Sequence, residues 1–450
     1  MTMRATRGLV HLSLIFSLAL VPWSAAAQDI GPAKEDLTPT PQNYSPYVER
    51  KVANQNFAEG LFWGDTHLHT SLSTDAGMIG NTLGPEQAYR FALGQEVRSS
   101  TGQRVRIGRP LDFLVVSDHA ENLGLAPMIA QANYDLLQTE WGKRFYDMVR
   151  SGEGYEAFRI WGTEGLSKGR DLLESPKIVR SVWDRQIELA DQYNEPGVFT
   201  AFIGFEWTSL NTQENPSNLH RVVVFKEDAR KAGQVLPFSV FDSVDPEKLW
   251  EYMDKYETLT GGSVLAIPHN GNLSNGLMFD DVRLNGELIT EEYAKTRMRW
   301  EPIVEVTQIK GDGETHPTLS PDDEFADYGT WDKGDIAGFK PKTPDMLPHE
   351  YARSALQVGL QQAAKVGTNP YKFGMIGSSD IHTSISTPEE DNFFGKTTPD
   401  EPRPGRTTHI GKQNEALGLV RYGWEYASPG VAAVWAKENT RTAIFDAMMR

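Results

Sequence analysis

His67 and His69 end the stretch Leu61-Phe62-Trp63-Gly64-Asp65-Thr66-His67-Leu68-His69. In extended backbone, side chains at i and i+2 project to one side, so both imidazoles can hold one cation. The same spacing returns as Asp380 and His382 after Phe373-Gly374-Met375-Ile376, and Asp118-His119 follows Phe113-Leu114-Val115-Val116. Phe202-Ile203-Gly204-Phe205 leads into Glu206, a carboxylate placed to bridge two cations. Val264-Leu265-Ala266-Ile267 leads to Pro268-His269, and Asp75 lies in the loop beyond the first histidine pair. One His-x-His pair is weak evidence, and the signal is the recurrence of ligand-type residues after successive apolar runs. Imidazole nitrogen with carboxylate oxygen, in a chain without cysteine, suits zinc, manganese or iron.

Apolar and β-branched runs of four or five residues bounded by Gly, Pro and Ser read as buried parallel strands. Side chains at the C-terminal ends of such strands meet at one mouth of a β/α barrel. Helix starts alternate with the runs. Pro85 opens Glu86-Gln87-Ala88-Tyr89-Arg90-Phe91-Ala92, and Ser175-Pro176 precedes a stretch with Val179, Val182, Trp183, Ile187 and Ala190 on one face. Asp245-Pro246 does the same for Leu249, Trp250 and Met253, and Thr440 caps a last helix with Ala443, Phe445, Ala447 and Met448. Residues 120–175 read as a mostly helical insertion. Residues 383–412, rich in Pro, Gly and Thr, read as a long loop beside the mouth. The fold class is α/β.

The chain has 450 residues and a formal charge of −17. Arg4 and Arg7, the apolar stretch from Leu9 to Val21 and Ala25-Ala26-Ala27 read as a secretory signal over residues 1–27. An exported protein, periplasmic or extracellular, is expected. That apolar stretch is too short to span a bilayer comfortably, and no later one approaches the length. Residues 28–58 read as an irregular leader, and residues 59–450 as one domain. The acidic surface repels polyphosphate backbones, so no nucleic-acid partner is expected and the substrate is a small molecule. Composition leaves the oligomeric state open.

The order His-x-His, Asp-His, Glu, His, Asp-x-His resembles the polymerase and histidinol phosphatase (PHP) family of metallohydrolases. Trp63-Gly64-Asp65-Thr66-His67-Leu68-His69-Thr70, Ser117-Asp118-His119-Ala120-Glu121, Gly204-Phe205-Glu206-Trp207 and Gly377-Ser378-Ser379-Asp380-Ile381-His382, with Glu389 to Lys396, are similar to a PHP-like branch of exported bacterial proteins. That branch is catalogued as a domain of unknown function. The resemblance implies a distorted (β/α)7-type barrel with a helical insertion and long active-site loops, two or three divalent ions (Mn, Zn or Fe), and phosphoester hydrolysis. It places His67, His69, Glu206 and Asp380 around one ion, Asp75, His119 and His382 around a second, and Glu206 with His269 at a third. Glu305 and His316 are candidates to complete that third set, with His220 behind them. Asp75 stands where many members have histidine, which favours oxygen-loving ions such as Mn²⁺. An amidohydrolase barrel also begins with His-x-His but normally bridges its metals with a middle-strand lysine, where this chain offers Glu206. The resemblance to the PHP-like branch also implies that related chains continue beyond the last helix.

Ions in such a set acidify bound water and neutralise the oxygens of an in-line displacement, and phosphorus is a natural target. Asp118 or His316 could protonate the leaving oxygen. Arg221, Lys310 and Lys396 are candidates to support phosphate oxygens. The same cluster could hydrolyse a carboxylic ester, lactone or amide, or could bind metal without turnover. Trp207, Trp250 and Trp300 read as core residues, with Trp207 alone, next to Glu206, a site candidate. His349 and His409 read as surface residues. Asp65 suits a turn or a supporting partner behind the histidine pair.

Overall fold

Period-two alternation of buried side chains builds the structure, a computed structural model that describes residues 60–211, 217–336, 338 and 340–450. The signal reading of 1–27 and the leader reading of 28–58 lie outside the described residues. The strands that carry the argument are β1 (Gly60–Leu68), β2 (Phe113–Val116), β3 (Thr200–Trp207), β4 (Arg221–Phe225), β5 (Val264–Pro268), β6 (Ile303–Gln308), β7 (Gly374–Gly377) and β8 (Ala432–Ala436). A six-stranded sheet runs in the order β8-β1-β2-β3-β4-β5, and a three-stranded sheet joins Gly311–Asp312, β6 and β7.

The fold is mixed α/β, with a curled half-barrel sheet and helices packed against it. β1, β2 and β3 are parallel, as are β6 and β7. Two strands lie outside the apolar runs read as parallel and run the other way: β4 is antiparallel to β3 and β5, and β8 runs against β1. The described part of the 208–220 connection is a two-stranded ribbon. So short a link returns the chain antiparallel, because a parallel crossover needs a longer connection, usually a helix. β7 also departs from expectation: it edges its sheet, and Met375 is 49% exposed.

Helices α1 (Pro85–Ala92), α2 (Pro176–Tyr193), α3 (Pro246–Thr260) and α4 (Arg441–Met448) start where the sequence places them. Asp245 and Thr440 accept hydrogen bonds from Glu247 N and Ala443 N, satisfying first-turn donors. Residues 120–175 are mostly helical, and 383–412 hold only short 3₁₀ turns before a strand begins at Ile410. No helix among the described residues is long and apolar enough to cross a membrane.

Alternate sheet residues feed two cores. Leu114, Val116, Ala201, Ile203, Phe205, Val223, Phe225 and Ala266 pack outward with Tyr89, Trp183, Trp250 and Met253 of α1–α3. Phe113, Val115, Phe202, Val222, Val224, Leu265 and Ile267 turn inward with Ile303, Ile376, Val434 and the α4 residues Ile444, Phe445 and Met448. Both faces of β3 are therefore buried. At Gly204, on the inner face, a Cβ would lie 2.5 Å from Val115 Cγ1 and 2.8 Å from Val223 O, so glycine lets the strands close up. Continuing the inward parity past the apolar residues leads to His119, Glu206, His269 and Glu305. Along antiparallel β4 it leads backwards to His220. The same alternation that fills the inner core thus delivers polar groups to one end of it.

Candidate metal centre

Glu206 is the hub. Its Oε2 lies 3.1 Å from His67 Nε2, 3.0 Å from His69 Nε2 and 3.5 Å from His119 Nδ1. Its Oε1 lies 2.6 Å from His220 Nδ1 and 2.9 Å from His269 Nε2. Asp380 approaches from the loop after β7, which docks on β1: Asp380 N donates to His67 O at 2.7 Å and His69 N to Ile381 O at 2.9 Å. Asp380 adopts the left-handed region, φ 52°, which aspartate tolerates better than most residues. Its Oδ1 stands 3.6 Å from His67 Nε2, 3.5 Å from His69 Nε2 and 3.6 Å from His382 Nδ1. Asp75 reaches His382 Nε2 at 3.0 Å and His119 Nε2 at 3.4 Å.

Among the described residues, three sets have ligand atoms all within 4.8 Å of one another: His67, His69 and Asp380; His69, His119 and His382; and His67, Glu206 and His269. The donor chemistry fits divalent cations, and the buried atoms fit them too. His69 Nε2, although 3.0 Å from Glu206 Oε2, forms no aligned hydrogen bond, and buried His220 Nε2 and His269 Nδ1 have no hydrogen-bond partner, a costly state for a polar atom unless something else engages it. The outer nitrogens of four rings are tied from behind. His67 Nδ1 is 3.0 Å from Glu305, His69 Nδ1 is 2.8 Å from Ser73 Oγ, His119 Nδ1 is 2.6 Å from Thr208 Oγ1, and His382 Nδ1 is 3.2 Å from the Asp380 carbonyl. Such partners fix ring orientation and leave Nε2 facing the carboxylates.

The electrostatics agree. Burial opposes charge on Glu206 and Asp75, yet the surrounding imidazoles hold both carboxyls well below their ordinary range. Burial likewise opposes charge on His67, but Glu305, Asp380 and Glu206 push it up to about 10. His119 is pushed up to about 9 against burial by Glu206 and Asp75. His220 goes the other way, down to about 3, because burial outweighs Glu206. Nitrogens that hold protons this strongly face a field that also attracts metal cations, and the two compete for the same lone pairs.

The sequence-derived candidates divide by place. His67, His69, Asp75, His119, Glu206, His269, Asp380 and His382 come together, and His220 joins them. Glu305 sits behind His67, both its oxygens toward Nδ1, rather than in one of the three sets. Asp118 is a positioning residue: it accepts from Thr70 N at 2.6 Å, Thr70 Oγ1 at 2.8 Å, Ser73 Oγ at 2.9 Å and Ser73 N at 3.2 Å. With both its oxygens committed to that turn, it does not stand as a proton donor to a leaving group. Lys310 and Lys396 both reach Asp380.

Arg221 does not join the cluster. Its buried guanidinium pairs with Glu301 at 3.0 Å and donates to the Leu219 carbonyl. His316 is also elsewhere, 3.1 Å from Asp332 and packed on Tyr351. Trp207 is buried, its Nε1 donating to Ser243 O, so it is a core residue like Trp250 and Trp300. His349 and His409 are half-buried rather than on the surface, His349 bonding Phe279 O at 3.0 Å. Asp65 supports the pair as expected, accepting from His67 N at 3.0 Å, Ser379 N at 3.1 Å and Ser386 Oγ at 2.7 Å.

Ser73, Thr208 and Gln308 were not legible in advance. Gln308 Nε2 donates to Asp380 Oδ2 at 2.7 Å. Their only sequence signal is proximity: each falls within four residues of a candidate. Ser73→Ala is expected to weaken metal binding about 10–100-fold, the usual effect of losing a partner behind a metal-facing ring. Competition titration with a chromogenic chelator measures it.

None of the curated proteins matches this chain. Among solved structures, a two-domain protein containing a predicted PHP-like metal-dependent phosphoesterase, from Bacteroides vulgatus, is similar at 11% identity with a TM-score of 0.34. The similarity covers 87% of this chain but only 63% of that one. The family model described as "Protein of unknown function (DUF3604)" matches residues 56–450, so the chain belongs to that family.

Proposed function

We propose that the protein is an exported, metal-dependent hydrolase of small phosphoesters or related organophosphorus compounds, on a distorted β/α barrel of the PHP type. The observation that carries this reading is the four-ring arrangement: His67, His69, His119 and His382 are each tied at Nδ1, and each presents Nε2 toward Asp75, Glu206 or Asp380. Divalent cations held there would acidify water and neutralise phosphoryl oxygens.

The chain's own residues supply placement. His67, His69, Glu206 and Asp380 would hold one ion, and His119, His382 and Asp75 a second. Glu206 with His269 and His220 would hold a third, if three are taken up. Asp65 and Asp118 lock the backbone on either side of the histidine pair, so the nitrogens need not reorganise when ligand arrives. Asp75 and His119, with side chains 24% and 10% exposed against 0% for His67, His69 and Asp380, mark the side open to substrate.

The test is elemental analysis of the purified protein, followed by chelator stripping and reloading with Mn²⁺ or Zn²⁺. Hydrolysis of 4-nitrophenyl phosphate is expected to vanish on stripping and return on reloading. Turnover of 4-nitrophenyl acetate alone would move the reading to carboxylic esters. Two or more bound ions with no turnover on any ester would leave a metal-binding protein.

A further inference from the structure

Two ammonium groups border the centre. Lys396 Nζ is 2.6 Å from Asp380 Oδ1 and 2.8 Å from His382 Nδ1, and Lys310 Nζ contacts Asp380 Oδ2. Asp380 is the only carboxylate either one ion-pairs with among the described residues. That same Oδ1 faces Nε2 of His67 and His69. One carboxylate therefore stands between two lysines on one side and the cation-binding nitrogens on the other. Once divalent ions share it, like charges confront each other on either side of Asp380 in a poorly screened interior. Such an arrangement is stable when further negative charge enters with a ligand.

Both lysine side chains are nearly buried, 7% exposed, against 24% for Asp75 and 10% for His119 on the open side of the centre. Asp380 does not depend on the lysines for its position. Gln308 holds Oδ2 at 2.7 Å, and the Asp380 N–H is fixed on His67 O. An ammonium on a flexible stem can leave a carboxylate oxygen and follow a phosphoryl oxygen with little geometric demand.

We propose that Lys310 and Lys396 form an anion subsite beside Asp380 at the edge of the centre, selecting doubly charged substrates, phosphomonoesters or phosphonates, over diesters and uncharged esters. The substrate class rests on the hydrolase reading, whereas the anion subsite is a binding property that can be measured without turnover. The competing role for the lysines is simple neutralisation of buried Asp380, and metal content separates the two.

Lys310→Met and Lys396→Met are made singly in the Mn²⁺-loaded full chain, and inorganic phosphate binding is measured by calorimetry beside metal content. Each variant is expected to bind phosphate about tenfold more weakly or worse, the effect of losing a charge-assisted bond, with metal content unchanged. In kinetics, KM for 4-nitrophenyl phosphate rises while bis(4-nitrophenyl) phosphate is little affected. Unchanged phosphate affinity overturns the proposal, and so does loss of metal, which assigns the lysines to supporting Asp380. Phosphate binding that needs the lysines, without turnover of any ester, upholds the subsite while the hydrolase reading fails. Turnover of an uncharged ester by wild-type protein that binds no phosphate does the reverse.

Discussion

Glu206→Gln is expected to purify with less than one ion per chain under conditions in which the wild-type protein carries two or more, read by elemental analysis. Five imidazoles converge on this one carboxylate. Glutamine keeps the volume but loses the charge, and it puts an NH₂ group where an oxygen faced ring nitrogens. The loss of metal affinity should exceed the about 10–100-fold typical of partners behind the rings. The substitution also removes the first of the carboxylates that support the His119 proton and one of those that support His67. Both rings should then titrate lower, observable by NMR of the imidazoles in stripped protein. Full metal content in Glu206→Gln would sink the assignment of Glu206 as the hub.

Asp118→Ala is expected to cost about 3 kcal/mol of stability, measured by urea denaturation, because it strands the buried Thr70 N–H and takes the acceptor from the Thr70 hydroxyl, while Ser73 N keeps the Thr70 carbonyl. Burial pushes the Asp118 carboxyl up, while His69 and the Thr70 and Ser73 donors pull it back. Asp118→Asn should cost less than half as much. An amide oxygen at the Oδ1 position can still accept from Thr70 N, Ser73 N and Ser73 Oγ, and the NH₂ can donate to Thr70 Oγ1. The alanine variant should also bind metal more weakly, since Ser73 Oγ links Asp118 to His69 Nδ1. Equal losses for both variants would mean that charge, and not the acceptor geometry, holds the turn.

What could be read from residue order is what depends on local periodicity. A four- or five-residue apolar run fixes a strand, and strand parity fixes the side to which the next polar residue projects. That is why His67, His69, His119, Glu206 and His269 could be chosen from the sequence and are found facing one another, whereas Asp380 and His382 lie in the loop beyond β7 and reach the centre because that loop docks on β1. Helix starts at Pro85, Pro176 and Pro246 are equally local, since proline at a first helical position needs no N–H partner.

Pairing across the sheet is not local, and there the tertiary structure decided. The direction of β4 brings His220 to the mouth, because an antiparallel strand puts its N-terminal end where its neighbours end. Strand β8, whose Ala432, Val434 and Ala436 alternate inward, has only a weak signal in sequence because three small or medium side chains make a poor apolar run. Arg221 and Lys310 look alike in sequence, each a cation beside a motif. Glu301, eighty residues away, takes the first into the core, while Asp380 holds the second at the centre. A side chain's type and parity are written in the chain, whereas the identity of the group across from it depends on which distant segment the fold brings there.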